Sequence, residues 1–159
     1  MSEFAIAQDT IDYIAVSRLQ SAYADVVNRR AWSELTELFL PAAHITVDTV
    51  TRPAFEFNGP AALGDFISGA IEMFEFFEFV ILNAHTVIGI EGDLDRAWAR
   101  VFMCELRQEV ATGADSQAFG LYQDEYMRVD GRWWFARRNY QSLKRTGRNE
   151  VFTFPQMRR

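Results

Sequence analysis

The sequence predicts an α+β fold: three N-terminal helices packed in a strongly curved, mostly antiparallel sheet, together a cone-shaped α+β barrel. Three observations predict it. Apolar residues recur at helical period through the early part of the chain. After about residue 79 the pattern changes to long strand-forming runs, broken by turns such as Gly92-Asp93 and Asp130-Gly131. The 14 Phe and 4 Trp carry enough ring surface to fill a core and still line a cavity. A sheet curved this way has an open end, which is a natural pocket.

The elements follow in order. Asp9 and Thr10 suit a helix cap, and Asp12 adds negative charge to the first turn. Ile11, Ile14, Leu19, Ala22 and Val26 then hold helical period to about Asn28. Within this helix Leu19, Ala22, Tyr23 and Val26 form one buried stripe, so Tyr23 carries a hydroxyl into an apolar interior. A second helix runs from about Ala31 to Phe39, and Pro41 stops it. His44 to Val50 reads as a strand with Ile45, Val47 and Thr49 on one face and His44, Thr46 and Asp48 on the other. Ala54 to Phe57 is a short second strand, and Asn58-Gly59-Pro60 opens a third helix whose apolar face is Leu63, Phe66, Ile67, Ala70 and Phe74. Four long strands follow, at Phe79–Glu91, Arg96–Glu109, Gln117–Asp130 and Arg132 to about Lys144. Residues 145–159 form a mixed tail in which Phe152, Phe154 and Met157 are able to dock.

Bulk properties narrow the function. The 159 residues suit one domain spanning 1–159, with a core of about 9–145. A net charge of −6 repels phosphate backbones, which argues against nucleic acid. The lone Cys104 rules out an internal disulfide, and Met-Ser-Glu-Phe lacks a signal-peptide pattern, so a cytoplasmic setting is expected. The most apolar run, Met73 to Leu82, is interrupted by Glu75 and Glu78 and is too short to span a bilayer. His44 and His85 have no clear carboxylate spacing, so neither a metal nor another cofactor is expected.

Three segments resemble the nuclear transport factor 2-like superfamily, in particular its SnoaL-like branch. They are Tyr23-x4-Asn28-x3-Trp32 running to Leu38-Phe39, then Phe57-Asn58-Gly59-Pro60, then Tyr122-x-Asp124-x3-Arg128-x-Asp130-Gly131-Arg132-Trp133 continuing to Arg138. The resemblance covers roughly residues 9 to 145. It implies the cone fold, but the superfamily holds isomerases, dehydratases, cyclases, epoxide hydrolases and catalytically silent subunits. Ketosteroid isomerase, a relative, joins an Asp base to an oxyanion hole made of a Tyr and a protonated Asp. By that likeness Tyr23 matches the oxyanion tyrosine, Asp124 the oxyanion aspartate and Asp48, more loosely, the base. Scytalone dehydratase and bile-acid 7α-dehydratases, also similar, imply His85 as a base. Their orienting Asp is replaced here by Asn28, which fixes a tautomer but cannot stabilise an imidazolium. Arg100-Val101-Phe102 lacks the Arg-x-Asp pair of the epoxide hydrolases.

The candidate set is therefore Tyr23, His85, Asp124, Asp48 and Asn28, each with a structural alternative. Tyr23 is either an electrophile for a guest oxygen or a core tyrosine. His85 is a base or a satisfied strand residue. Asp124 shares parity with Gly120, Tyr122 and Tyr126, and is either a pocket carboxyl or the ion-pair partner of an arginine such as Arg138. Asp48 is a base or an exposed strand residue. Phe74, Phe76, Phe77 and Phe79 form a pocket lip or pack a helix end. The expected function is a cofactor-independent lyase or isomerase acting on a small hydrophobic ring compound. The alternative is a non-catalytic ligand-binding or assembly subunit, like the small subunit of ring-hydroxylating dioxygenases. Phe119, Leu121, Met127 and Val129 share the outward parity, so a homodimer or homotrimer is expected.

Overall fold

The computed structural model describes residues 3–148, 150–153, 155 and 157. Helix α1 (Glu3–Arg29) is followed by a 3-10 helix (Trp32–Glu37), β1 (Phe39–Asp48), β2 (Phe55–Asn58) and α2 (Pro60–Ile71). Then come β3 (Phe74–Ile90), β4 (Asp93–Glu109), β5 (Asp115–Val129), β6 (Arg132–Arg145) and β7 (Glu150–Val151). The sheet order is β2-β1-β6-β5-β4-β3, with β7 added on β6. All pairs are antiparallel except β1 with β6. The sheet is strongly curved and unclosed, and α1 lies in its concave face. One side chain demonstrates this: the Tyr23 ring meets Phe39 of β1, Phe79 of β3, Tyr122 of β5 and Phe135 of β6, all at 5.5–6.2 Å.

Helix α1 begins earlier than its cap residues suggested, and its buried stripe is rotated at the N-terminal end. Val16, Leu19, Tyr23, Val26 and Val27 are buried, whereas Ile11 and Ile14 are exposed. Asp12 takes the inward position there. Its Oδ1 accepts hydrogen bonds from Arg128 Nη1 at 2.7 Å and Trp133 Nε1 at 3.0 Å. Asp12 is thus an anchor to β5 and β6, not a first-turn charge.

The expected second helix is a 3-10 helix, and Phe39 opens a strand instead. Pro41 sits within β1, but its missing N–H removes no ladder bond, because the β1–β6 register is interrupted between Phe39 and His44. Gly59, at φ 83°, leads into α2 with Pro60 at the first turn. A Cβ there would stand 2.8 Å from the Pro41 carbonyl oxygen. Strand β3 starts at Phe74, ahead of the expected Phe79, and pairs from Phe74↔Glu109 onward. Of the expected aromatic lip only Phe74 lines the cavity. Phe77 and Phe79 are core, and Phe76 is exposed.

Two bulges decide which way side chains face. On β3, Ile81 pairs with Met103 and Asn83 with Phe102, leaving Leu82 as an extra residue. Phe77, Phe79 and Ile81 pack inward before it, and Ala84 and Ile88 pack inward after it. The inward parity therefore switches from odd to even. On β6, Phe135 pairs with Tyr126 and Arg137 with Glu125, so Ala136 is extra. Phe135 and Arg138, three residues apart, consequently both reach the Tyr23 ring.

The outer face exposes part of the apolar set expected there. Leu121 is buried, while Met127 and Val129 are exposed. In the tail, the Phe152 N–H donates to the Leu143 carbonyl at 2.9 Å, and its ring lies 5.4 Å from the Arg145 guanidinium. Phe154 lies outside the described residues. Among those described, no helix is long and apolar enough to cross a membrane.

Candidate functional site

A cavity of about 540 Å³ opens between α2, β1 and the inner face of β4, β5 and β6. Its apolar wall includes Ile45, Val47, Leu63, Phe66, Ile67 and Phe74. The polar side comes from the sheet: Glu105, Arg107, Tyr122, Tyr140, Ser142 and Arg145. Tyr23 and Arg138 close its inner end.

At that end Asp124 and Arg138 form a buried ion pair. Arg138 Nε donates to Oδ1 at 2.9 Å and Nη2 to Oδ2 at 2.7 Å, with side-chain exposures of 3% and 0%. Asp124 Oδ2 also accepts from the Tyr126 hydroxyl at 3.2 Å. Gln20 on α1 donates to that hydroxyl and to Thr86 Oγ1, both at 3.1 Å. The guanidinium sits in the corner between the Tyr23 and Tyr122 rings, which meet edge to face, its carbon 4.0 Å from each ring centroid. Among the described residues Arg138 Nη1 has no hydrogen-bond partner, and it is occluded, so ring faces are what it meets. Burial alone would lower the Arg138 pKa, but the Asp124 carboxylate more than offsets this and holds it above its ordinary value. Burial raises the Tyr23 phenol, with Arg138 pulling part of the way back.

This geometry corrects the oxyanion role expected for Asp124. A carboxyl that donates must be protonated, yet all three of these contacts need Asp124 to accept. The ion-pair alternative, with Arg138, is the one observed. Tyr23 reaches the cavity's inner end but is only 2% exposed, packed on the guanidinium.

His85 is placed on the opposite face of the sheet from Tyr23. The Leu82 bulge turns it outward, where it is exposed with its ring 5.6 Å from Trp98. The inward β3 residue beside Tyr23 is Phe79, with ring centroids 5.5 Å apart. Asp48 is also away from the cavity lining. It ends β1, and its Oδ1 accepts the Val50 N–H at 2.7 Å, a local turn bond. Neither expected base reaches the cavity.

Asn28 has a different task from orienting a histidine. Its Nδ2 donates to the Phe79 carbonyl at 3.0 Å, and its Oδ1 accepts the Phe79 N–H at 2.7 Å. Since β3 is an edge strand, one asparagine stands in for a missing partner strand. Only a side chain with both a donor and an acceptor can do this, which accounts for Asn over Asp. Asn28→Asp is expected to lower stability by about 1–3 kcal/mol, since a carboxylate oxygen would then face a carbonyl. Urea unfolding measures this; an unchanged midpoint would refute the clamp.

Glu105 and Arg107 are residues that sequence reasoning missed. Ala97, Ala99, Val101 and Met103 of β4 face the core, and the same parity continues to Glu105 and Arg107. Charged residues at inward parity were the available signal. Burial raises the Glu105 carboxyl above its ordinary value, with Arg107 and then Arg145 partly offsetting this.

The chain matches no curated protein. Among solved structures it is similar to a protein provisionally assigned as a scytalone dehydratase from Novosphingobium aromaticivorans DSM 12444. That similarity has 18% identity, covers 93% of each chain and has a TM-score of 0.75. It is also similar to the hexachlorocyclohexane dehydrochlorinase LinA-type3 from Novosphingobium barchaimii LL02. Here identity is 20%, coverage 92% of this chain and 97% of that one, and the TM-score 0.74. At such identities these likenesses show the cone fold. The SnoaL-like domain pattern matches residues 8–139, most of the chain, and the protein belongs to the SnoaL-like domain family.

Proposed function

We propose that the protein binds a small, hydrophobic, ring-sized molecule in its cone. The observation that carries this is the cavity itself. Its volume of about 540 Å³ falls in the usual range for small-molecule sites. Apolar side chains from α2 and β1 form one wall, and a few polar groups from the sheet face them. That division suits a guest with an apolar body and one polar end. 2-Tetralone, a neutral two-ring ketone, is a suitable probe, followed by isothermal titration. Ile67→Trp fills the cavity from α2 and is expected to weaken tetralone binding by about tenfold or more while leaving the far-UV spectrum unchanged. Undiminished binding in that variant would place the guest elsewhere.

A second reading, a cofactor-independent lyase or isomerase, draws support from Glu105. It is a carboxyl in the cavity wall whose proton is held more tightly than usual. The structural neighbours named for a dehydratase and a dehydrochlorinase point the same way. In this reading Glu105 carboxylate takes the proton next to a bound carbonyl and returns it, and Arg107 meets the enolate oxygen. Exchange of the tetralone α-protons in D2O, followed by NMR, tests it. Exchange above the buffer rate that is lost in Glu105→Gln supports catalysis. Binding without exchange leaves the binding reading alone, which the outward His85 and the engaged Asn28 favour.

A further inference from the structure

We propose that the guest is an organic anion, an apolar ring body bearing one carboxylate, and that the carboxylate docks on Arg107. This rests on the cone taking a guest at all, as argued above. The chain is acidic, with net charge −6, yet five arginines line its cavity: Arg52, Arg107, Arg138, Arg145 and Arg148. Against them the described lining residues include two carboxylates, Glu105 and Glu109.

These arginines are not equivalent. Arg138 is neutralised by Asp124 through two short bonds. Arg145 donates to Glu150 at 2.9 Å, to the Thr49 carbonyl at 2.8 Å and to Ser142 Oγ at 3.1 Å. Arg107 makes no such short bond among the described residues, only a longer ion pair with Glu105. Its Nη1 stands 3.6 Å from Glu105 Oε2, beyond hydrogen-bonding distance. Its Nε is buried without a partner, and its guanidinium rests 4.9 Å from the Phe74 ring centroid. About an eighth of the side chain remains open, at 13% exposure. A guanidinium this poorly paired gains most from an incoming carboxylate, which it can meet with two parallel N–H donors. Ser116, opposite Arg107 on β5, also lines the cavity and offers a hydroxyl. Phe74, under the guanidinium, continues into the apolar wall that the ring body would meet.

Glu105 does not oppose this arrangement strongly. Its Oε2 stands 3.6 Å from Arg107 Nη1, too far to occupy the guanidinium's N–H donors.

Isothermal titration with 2-naphthoate and its neutral analogue 2-naphthamide tests the inference. The acid is expected to bind about tenfold tighter than the amide. Arg107→Gln should remove that preference by weakening the acid more than the amide, and Arg107→Lys should retain part of it. Equal affinities for the wild-type protein overturn the anion inference and leave the cone as a binding site. A preference that survives Arg107→Gln overturns the assignment to Arg107. If neither compound binds, the binding reading falls and this inference falls with it. The wild-type comparison decides the anion part whether or not the variants fold, and the charge-keeping Arg107→Lys variant decides the assignment to Arg107 should Arg107→Gln fail to fold.

Discussion

Asp124→Asn is expected to cost about 3–5 kcal/mol, the usual penalty for breaking a buried ion pair from one side. Asparagine keeps the shape but not the charge. Arg138, 3% exposed, would be left as a cation without its counter-ion among aromatic rings. Tyr126 would lose a strong acceptor, and the link back to Gln20 on α1 would weaken. For a chain of this length the loss corresponds to a Tm drop of roughly 6–20 °C. Thermal melts measure it. The double variant Asp124→Leu/Arg138→Met is expected to be more stable than either single change, because it removes both charges together. A single-variant cost below about 1 kcal/mol would mean that water reaches the pair after all.

Gly120→Ala is expected to cost about 1–3 kcal/mol and to narrow the cavity. A Cβ at this position would lie 2.2 Å from Tyr140 Cε2, 2.8 Å from its Cζ and 2.9 Å from Met103 Sδ. The Tyr140 ring folds over the bare glycine, 5.3 Å from the Tyr122 ring centroid, and its hydroxyl shares a 3.2 Å hydrogen bond with Ser142. Burial in this position raises the Tyr140 phenol to about 12. A methyl group would push the ring off the strand and into the space a guest uses. Weaker tetralone binding alongside the stability loss checks both effects. Full binding with a normal melting point would show that the ring relaxes elsewhere.

The candidate site was legible where a period was unbroken. Tyr23 lies on the stripe Leu19, Ala22, Tyr23 and Val26 of one helix, where Ala22 is half-buried and the other three are buried. Asp124 shares inward parity with Tyr122 and Tyr126 along β5, and they too are buried together. The structure turns His85 away from Tyr23 because the Leu82 bulge reverses the parity of the β3 residues that follow it, until the register shifts again between Ile88 and Ile90. Ala136 does the reverse service on β6, bringing Arg138 inward. Neither bulge has a local signature, since an extra residue in a strand looks like any other until a partner strand is laid against it. Asn28 was read beside a histidine, but its two hydrogen bonds go to the backbone of Phe79, 51 residues away.

The sequence by itself determined the architecture: helical and strand periods, the Gly59-Pro60 start and the Asp130-Gly131 turn specify helices within a curved sheet. Those are local properties, set by backbone geometry within a few residues. Only the tertiary structure decided which charges meet. Burial and pairing depend on register across the sheet, and one inserted residue reverses it. That is why the buried Asp124–Arg138 pair and the Glu105–Arg107 wall, not a histidine, define the inside of the cone.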